Sequence, residues 1–326
     1  MDLLDAPWGF GLAEAPGVAA FYSRSLAALL AERNATLLVS SMPAGKLMIV
    51  CAGGADTLSI QAVPFARISG VAFDGGDRLA IASVGTQVWF LERAEPDRFR
   101  LRSTHETGEI ASHEIAWGAD GLWVVNTRYS CLCTLEPGRS FTPRWQPPFV
   151  TELLPEDRCH LNGVAMVGGA PKYVTCFSRT DTASGWRSDP AGNGCLIDVP
   201  SSAVVATGLT MPHSPRVHDG RVFVLDSGTG RLVTVDAGRV TPVARFDGFV
   251  RGLAFSGPLA FVGVSKTRHL KVGLPLVEEL GEGGGRCGVW VVDAGDGRGV
   301  GFLELVAGVD EVFDVQVLHG MGRVEV

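Results

Sequence analysis

His113-Glu114-Ile115-Ala116-Trp117, the turn Gly118-Ala119-Asp120-Gly121, and Leu122-Trp123-Val124-Val125-Asn126 form the stretch whose reading decides the fold. Two short apolar runs flank a Gly/Asp turn, which is the pattern of a β-hairpin. Working outward, the pattern returns. Ser69-Gly70-Val71-Ala72-Phe73 leads through Asp74-Gly75-Gly76-Asp77 to Arg78-Leu79-Ala80-Ile81. Asn162-Gly163-Val164-Ala165-Met166, His213-Ser214-Pro215-Arg216-Val217 and Arg251-Gly252-Leu253-Ala254-Phe255 each open a similar unit. The starting residues Ser69, His113, Asn162, His213 and Arg251 lie about 38 to 51 residues apart, the period of a four-stranded propeller blade. A single hairpin cannot bury its apolar face, whereas stacked blades can.

The two ends complete the count. Val312-Phe313-Asp314-Val315-Gln316-Val317-Leu318 reads as a first strand with nothing after it. The hairpin of Thr36–Ser40 and Lys46–Val50, joined through Pro43-Ala44-Gly45, lacks a first strand of its own. The ends are therefore predicted to share one blade, closing the ring and removing exposed edges. The expectation is an all-β, six-bladed β-propeller over residues 35–326, preceded by an N-terminal segment over residues 1–34. In that segment Phe21, Leu26, Leu29 and Leu30 predict a helix from Pro16 to Asn34 that packs on the propeller.

Composition limits the function classes. The chain of 326 residues is 46% hydrophobic and 19% charged, ample for a packed core. A net charge of −7 offers no basic footprint for nucleic acid. Residues 1–15 hold Asp2, Asp5 and Glu14 and no Lys or Arg, so no signal peptide is expected. No apolar run reaches the ~20 residues that cross a bilayer. Seven cysteines with no CxxC pair read as reduced thiols of a cytoplasmic protein.

Blade-opening residues point the chemistry at one place. In a propeller the first strands line a central channel, so Ser69, His113, Asn162, His213, Arg251 and Phe313 are expected around one mouth, with Glu114, His160 and Asp314 beside them. Asp226 ends a second strand at the same rim. Imidazole, carboxylate and amide donors suit a divalent ion such as Zn, Mn or Fe better than Ca. The expected ligands are His113, Glu114, His160, His213 and Asp226. The other reading of the same residues is a set of hydrogen bonds across a water-filled channel. Arg251 is expected either to hold an anionic substrate group or to pair with Glu114 or Asp314.

Two insertions break the rhythm, Phe177–Asn193 and Lys266–Gly285, and long loops on a rigid scaffold often carry function. In the first, Trp186 and Arg187 are positioned to cover the mouth or simply to anchor the loop, with Asp181 nearby. His160, Asn162, Arg251, Asp181 and Arg187 are the candidate catalytic residues, acting on a small anionic or peptide-like molecule by hydrolase, lyase or redox chemistry. A non-catalytic propeller that binds a peptide or protein partner through the two loops is the alternative. Ser227-Gly228-Thr229-Gly230 reads as a turn between strands rather than a phosphate loop. His105, His218, His269 and His319 read as surface residues.

Several stretches together resemble a family of bacterial conserved hypothetical proteins of about this length with a β-propeller fold. They include Cys159-His160-Leu161-Asn162-Gly163, Gly185-Trp186-Arg187, Met211-Pro212-His213-Ser214-Pro215-Arg216, and Leu225-Asp226-Ser227-Gly228-Thr229-Gly230. The resemblance spans nearly the whole chain and implies the fold, not an activity. A fainter similarity runs to gluconolactonase-like six-bladed propellers, which bind a divalent ion through Glu, Asn and Asp. Asn162-Gly163 and Asp226-Ser227 look like two of those elements, and His113, His160 and His213 depart from them. Kinship of fold does not transfer function.

Overall fold

The computed structural model describes residues 9–268 and 273–326. Asp2, Asp5 and His269, on which expectations were placed above, lie outside the described residues, as do residues 270–272 of the second insertion.

Six antiparallel sheets surround one axis. Their innermost strands are Asp314–His319, Ile68–Phe73, Ser112–Gly118, Leu161–Val167, Pro212–His218 and Phe249–Ser256, for blades 1 to 6 in order. Each inner strand packs beside the next, and blade 6 returns to blade 1, so the ring is closed. Closure comes from the shared blade predicted above. Asp314–His319 pairs antiparallel with Ala35–Ser41, from Asp314 opposite Ser40 to His319 opposite Ala35.

Alternating side chains of each strand meet the faces of two neighbouring blades. Leu38, Leu47 and Ile49 of blade 1 pack on Ile68, Val71, Leu79 and Ile81 of blade 2. Similar clusters fill the other seams. A strand buried on both faces reads as a continuous apolar run, and every residue of Ala35–Ser41 is buried.

The N-terminal segment differs from the expected single helix. Val18–Ser23 is a strand, paired with Phe10–Ala15 on one side and with Gly299–Ala307 of blade 6 on the other. Blade 6 thus has six strands. Val18, Ala20 and Tyr22 are buried while Phe21 is exposed, and this period of two decides the strand. The helix begins only at Arg24 and ends at Glu32, with Ser23 Oγ accepting from Leu26 N at 3.3 Å. Leu26, Ala27 and Leu30 form its buried stripe, and Asn34 ends it in a left-handed conformation at φ 45°.

Candidate functional site

Five of the six inner strands carry an irregularity just where they enter the channel. Register shifts lie between Ile68 and Val71, Ser112 and Ile115, Leu161 and Gly163, His213 and Arg216, and Val250 and Leu253. A bulge breaks the alternation of faces and re-aims side chains. Ser69, His113, Glu114, Asn162, Ser214 and Arg251 all sit in these irregularities, which explains why neighbours such as His113 and Glu114 both reach the channel. Gly252 follows Arg251 at φ 80°, and an added Cβ would lie 2.7 Å from Val315 N, so only glycine lets the two strands approach there.

The bulges leave edge N–H groups unpaired, and side chains of the preceding blade accept them. Glu114 Oε2 takes Val164 N at 3.1 Å, Ser214 Oγ takes Gly252 N at 3.1 Å, and Asp314 Oδ2 takes Val71 N at 2.9 Å. Glu114 Oε1 forms an ion pair with Arg216 but lacks hydrogen-bond geometry to it. Burial pushes the Glu114 carboxyl up to about 7 and raises Asp314 as well. These groups form the middle layer of the channel.

Toward the mouth three imidazoles converge. The His113 ring lies 5.3 Å from that of His213 and 5.6 Å from that of His160, centre to centre. Arg251 stands among them. Its Nη2 donates to His113 Nε2 at 2.8 Å, and its guanidinium carbon is 3.2 Å from the Phe313 ring centre. Arg251 Nη1 reaches Glu311 Oε1 at 3.2 Å, and Arg268 pairs with the same carboxylate. The Arg251 side chain is 11% exposed, and its Nε has no hydrogen-bond partner among the described residues. Burial lowers the Arg251 pKa to about 9, which still leaves it charged at neutral pH. The expected pairing of Arg251 with Glu114 or Asp314 is therefore corrected: Arg216 pairs with Glu114, and Arg251 takes Glu311.

The protons on the histidines follow from their partners. Ser227 Oγ donates to Val250 O, so its lone pair faces His213 Nδ1 at 2.7 Å, and Met211 O faces the same nitrogen at 2.9 Å. Nδ1 must carry the proton, leaving the lone pair on Nε2. His160 has a similar arrangement, with Nδ1 3.0 Å from Asp157 Oδ2, which also accepts from Trp186 Nε1 at 2.9 Å. Burial first, and then the nearby Arg251 charge, hold His113 and His213 well below the usual imidazole pKa. Both rings are neutral at physiological pH.

Other expected site residues are engaged elsewhere. Asn162 accepts from Thr175 Oγ1 at 2.6 Å and donates to His160 O at 3.3 Å, so it steadies the His160 backbone while lining the channel. Asp226 accepts Thr210 N at 2.6 Å and Thr229 Oγ1 at 2.5 Å in the turn below the rim. Asp181 accepts from Thr151 N and Oγ1 and from Arg158 Nη1, and these bonds hold its carboxyl down at about 2. It anchors the first insertion. Arg187 stacks over Trp186 at 4.2 Å. Among the described residues no group of three or more His, Cys, Asp or Glu has a geometry that could hold a metal ion.

The two insertions meet over the mouth. Trp186 and Phe177 of the first pack with Leu274 and Leu276 of the second, and with Met211 and Phe249 at the blade edges. Leu276 belongs to a short helix, Pro275–Leu280. Beneath this cover a cleft of about 350 Å³, counted to its open side, is lined by Met211, His213, Phe249, Arg251 and Arg268 among others.

Asp157, Ser227, Glu311 and Arg268 were not singled out for the site from the sequence. Ser227 and Glu311 serve the blade-opening residues His213 and Arg251 from other segments, Asp157 holds His160 from the turn before it, and Arg268 reaches the site through Glu311.

A family described as a domain of unknown function (DUF4915) matches residues 24–326. No curated protein matches the chain. A chain in the crystal structure of a nidogen/laminin complex is similar, at 12% identity and a TM-score of 0.54, covering 87% of this chain and 98% of that one. At that identity the likeness is one of fold. A second, the structure of U3-55K, has 13% identity, 90% and 79% coverage, and a TM-score of 0.41, too low to carry an argument.

Proposed function

The chain belongs to the DUF4915 family of unknown function, and on the geometry of its own channel we propose that it binds a small anionic molecule at the mouth, against Arg251, with His213 as the adjacent proton acceptor. One observation carries this reading. A nearly buried guanidinium shares its only carboxylate partner among the described residues, Glu311, with a second guanidinium, Arg268. A buried charge left partly unmatched is costly, and a carboxylate or phosphate group would complete it with the planar, two-point geometry that Arg favours.

His213 gives such a site acid–base capacity. Its Nε2 lone pair is fixed by the Met211 and Ser227 contacts at Nδ1. An anion that offsets the Arg251 charge raises the proton affinity of the ring. Hydrolase or lyase chemistry, as expected from the sequence, needs a base of this kind beside the bound anion. The buried, unpaired thiols support a reducing, cytoplasmic setting.

Calorimetric titration with small carboxylates and inorganic phosphate at pH 7 tests the proposal. At least one anion should bind, with proton uptake, and Arg251→Gln should weaken it by at least tenfold while circular dichroism stays unchanged. Equal affinity in a folded Arg251→Gln variant would overturn it.

A second reading retains a divalent ion, Zn, Mn or Fe, at the imidazoles. It is favoured by the Asp157 carboxylate behind His160 and the Met211 carbonyl behind His213, since metal-bound histidines usually donate their other N–H to such groups. It requires ligands beyond these two rings, and the Arg251 charge opposes a cation there. Stoichiometric metal in the purified protein, lost in His160→Ala and His213→Ala, would favour it over the first.

A further inference from the structure

Resting on the anion-binding reading above, we infer that the ligand is a small monocarboxylate with an apolar body, its carboxylate on Arg251 and Arg268 and its body against Phe249, Met211 and Val250. Both kinds of group line the cleft: the cations Arg251, Arg268 and Lys266, and the apolar Phe249, Met211 and Val250.

Charge limits the ligand to one negative group. Among the described residues that line the cleft and their ion-pair partners, three cations face two carboxylates, because Lys266 pairs with Asp310 at 2.5 Å and Arg251 and Arg268 share Glu311. One positive charge is left over. One layer deeper Arg216 faces Glu114 and Asp314, and burial of both carboxyls keeps that trio below its formal negative charge. A dianion would leave an unmatched charge beside the nearly buried Arg251.

Hydroxyl-rich ligands fit poorly. The two serines of the cleft already donate inward, Ser227 Oγ to Val250 O and Ser265 Oγ to Val312 O. Ser265 Oγ also accepts from Val312 N at 3.0 Å. Neither hydroxyl has a proton left for a sugar, whereas the apolar lining of Phe249 and Met211 demands no hydrogen bond of a hydrocarbon group.

Calorimetry at pH 7 and low salt with hexanoate, acetate, succinate and inorganic phosphate tests the class. Hexanoate should bind about tenfold or more tighter than acetate, as burial of its methylenes requires, and tighter than succinate or phosphate. Phe249→Ala should bring hexanoate to within about threefold of acetate and leave acetate unchanged; Met211→Ala serves if that variant does not fold. Arg268→Gln, at the exposed rim, should weaken every anion. Tighter binding of succinate or phosphate, or an unchanged hexanoate preference in folded Phe249→Ala, would overturn the class while the anion site stands. Failure of every anion to bind the folded wild-type protein would remove both.

Discussion

Glu114 shows how one side chain is set by its layer in the channel. Burial, partly opposed by Arg216 and reinforced by Asp314, moves its pKa from 4.5 in the free side chain to about 7. The folded state therefore binds this proton more tightly than the unfolded state. The stability it contributes is complete below about 4.5 and is lost as pH rises through about 7. His113 and His213, lowered by burial and by Arg251, act in the opposite sense, and their contribution is lost as pH falls below 6.5. Comparing Glu114→Gln with wild type isolates the carboxyl. Between pH 4.5 and 8 the variant should gain about 2 to 3 kcal/mol relative to wild type in urea unfolding. A difference independent of pH would show that Glu114 holds no such proton. Asn162 was legible as a channel residue because it opens a repeat, and His160 because it lies just before that opening. Asp157 was not, because its role depends on a turn that brings it to His160 Nδ1.

At the scale of elements, the bulges and the two insertions divide the work. The bulges deliver polar residues of separate blades to one level of the axis. The insertions close over them through apolar side chains buried against each other, Trp186 at 8% and Leu276 at 1% exposed. From the sequence these loops were open to two readings, a cover for the mouth or a surface for a partner. Leu276→Ala should cost about 2 kcal/mol or more, concentrated in the cover rather than the blades. Limited proteolysis within 266–285 should accelerate while the main thermal transition shifts little. Unchanged cleavage would mean that the second insertion does not rely on this contact.

The whole molecule depends on joining its ends. Phe313, Val315 and Leu318 are buried in the closing segment, and each such side chain is worth about 1.5 to 3 kcal/mol. Their sum is comparable with the entire stability of a typical domain. Deleting residues 312–326 should therefore abolish the cooperative thermal transition by circular dichroism and remove Asp314 from the channel. A truncated protein that still melts sharply near the wild-type temperature would contradict closure by this strand.

The sequence by itself determined the blade count, the shared blade and the residues that open each repeat, because hairpin periodicity and turn chemistry are local properties. It misplaced the N-terminal helix, whose start at Arg24 is decided by the pairing of Val18–Ser23 with blade 6. Only the tertiary structure decided which charges meet. Arg251 and Glu311 are 60 residues apart, and Arg251 and His113 are 138 apart. Partnership over such distances is fixed by the angle between blades around the axis, a quantity that no local run of residues encodes.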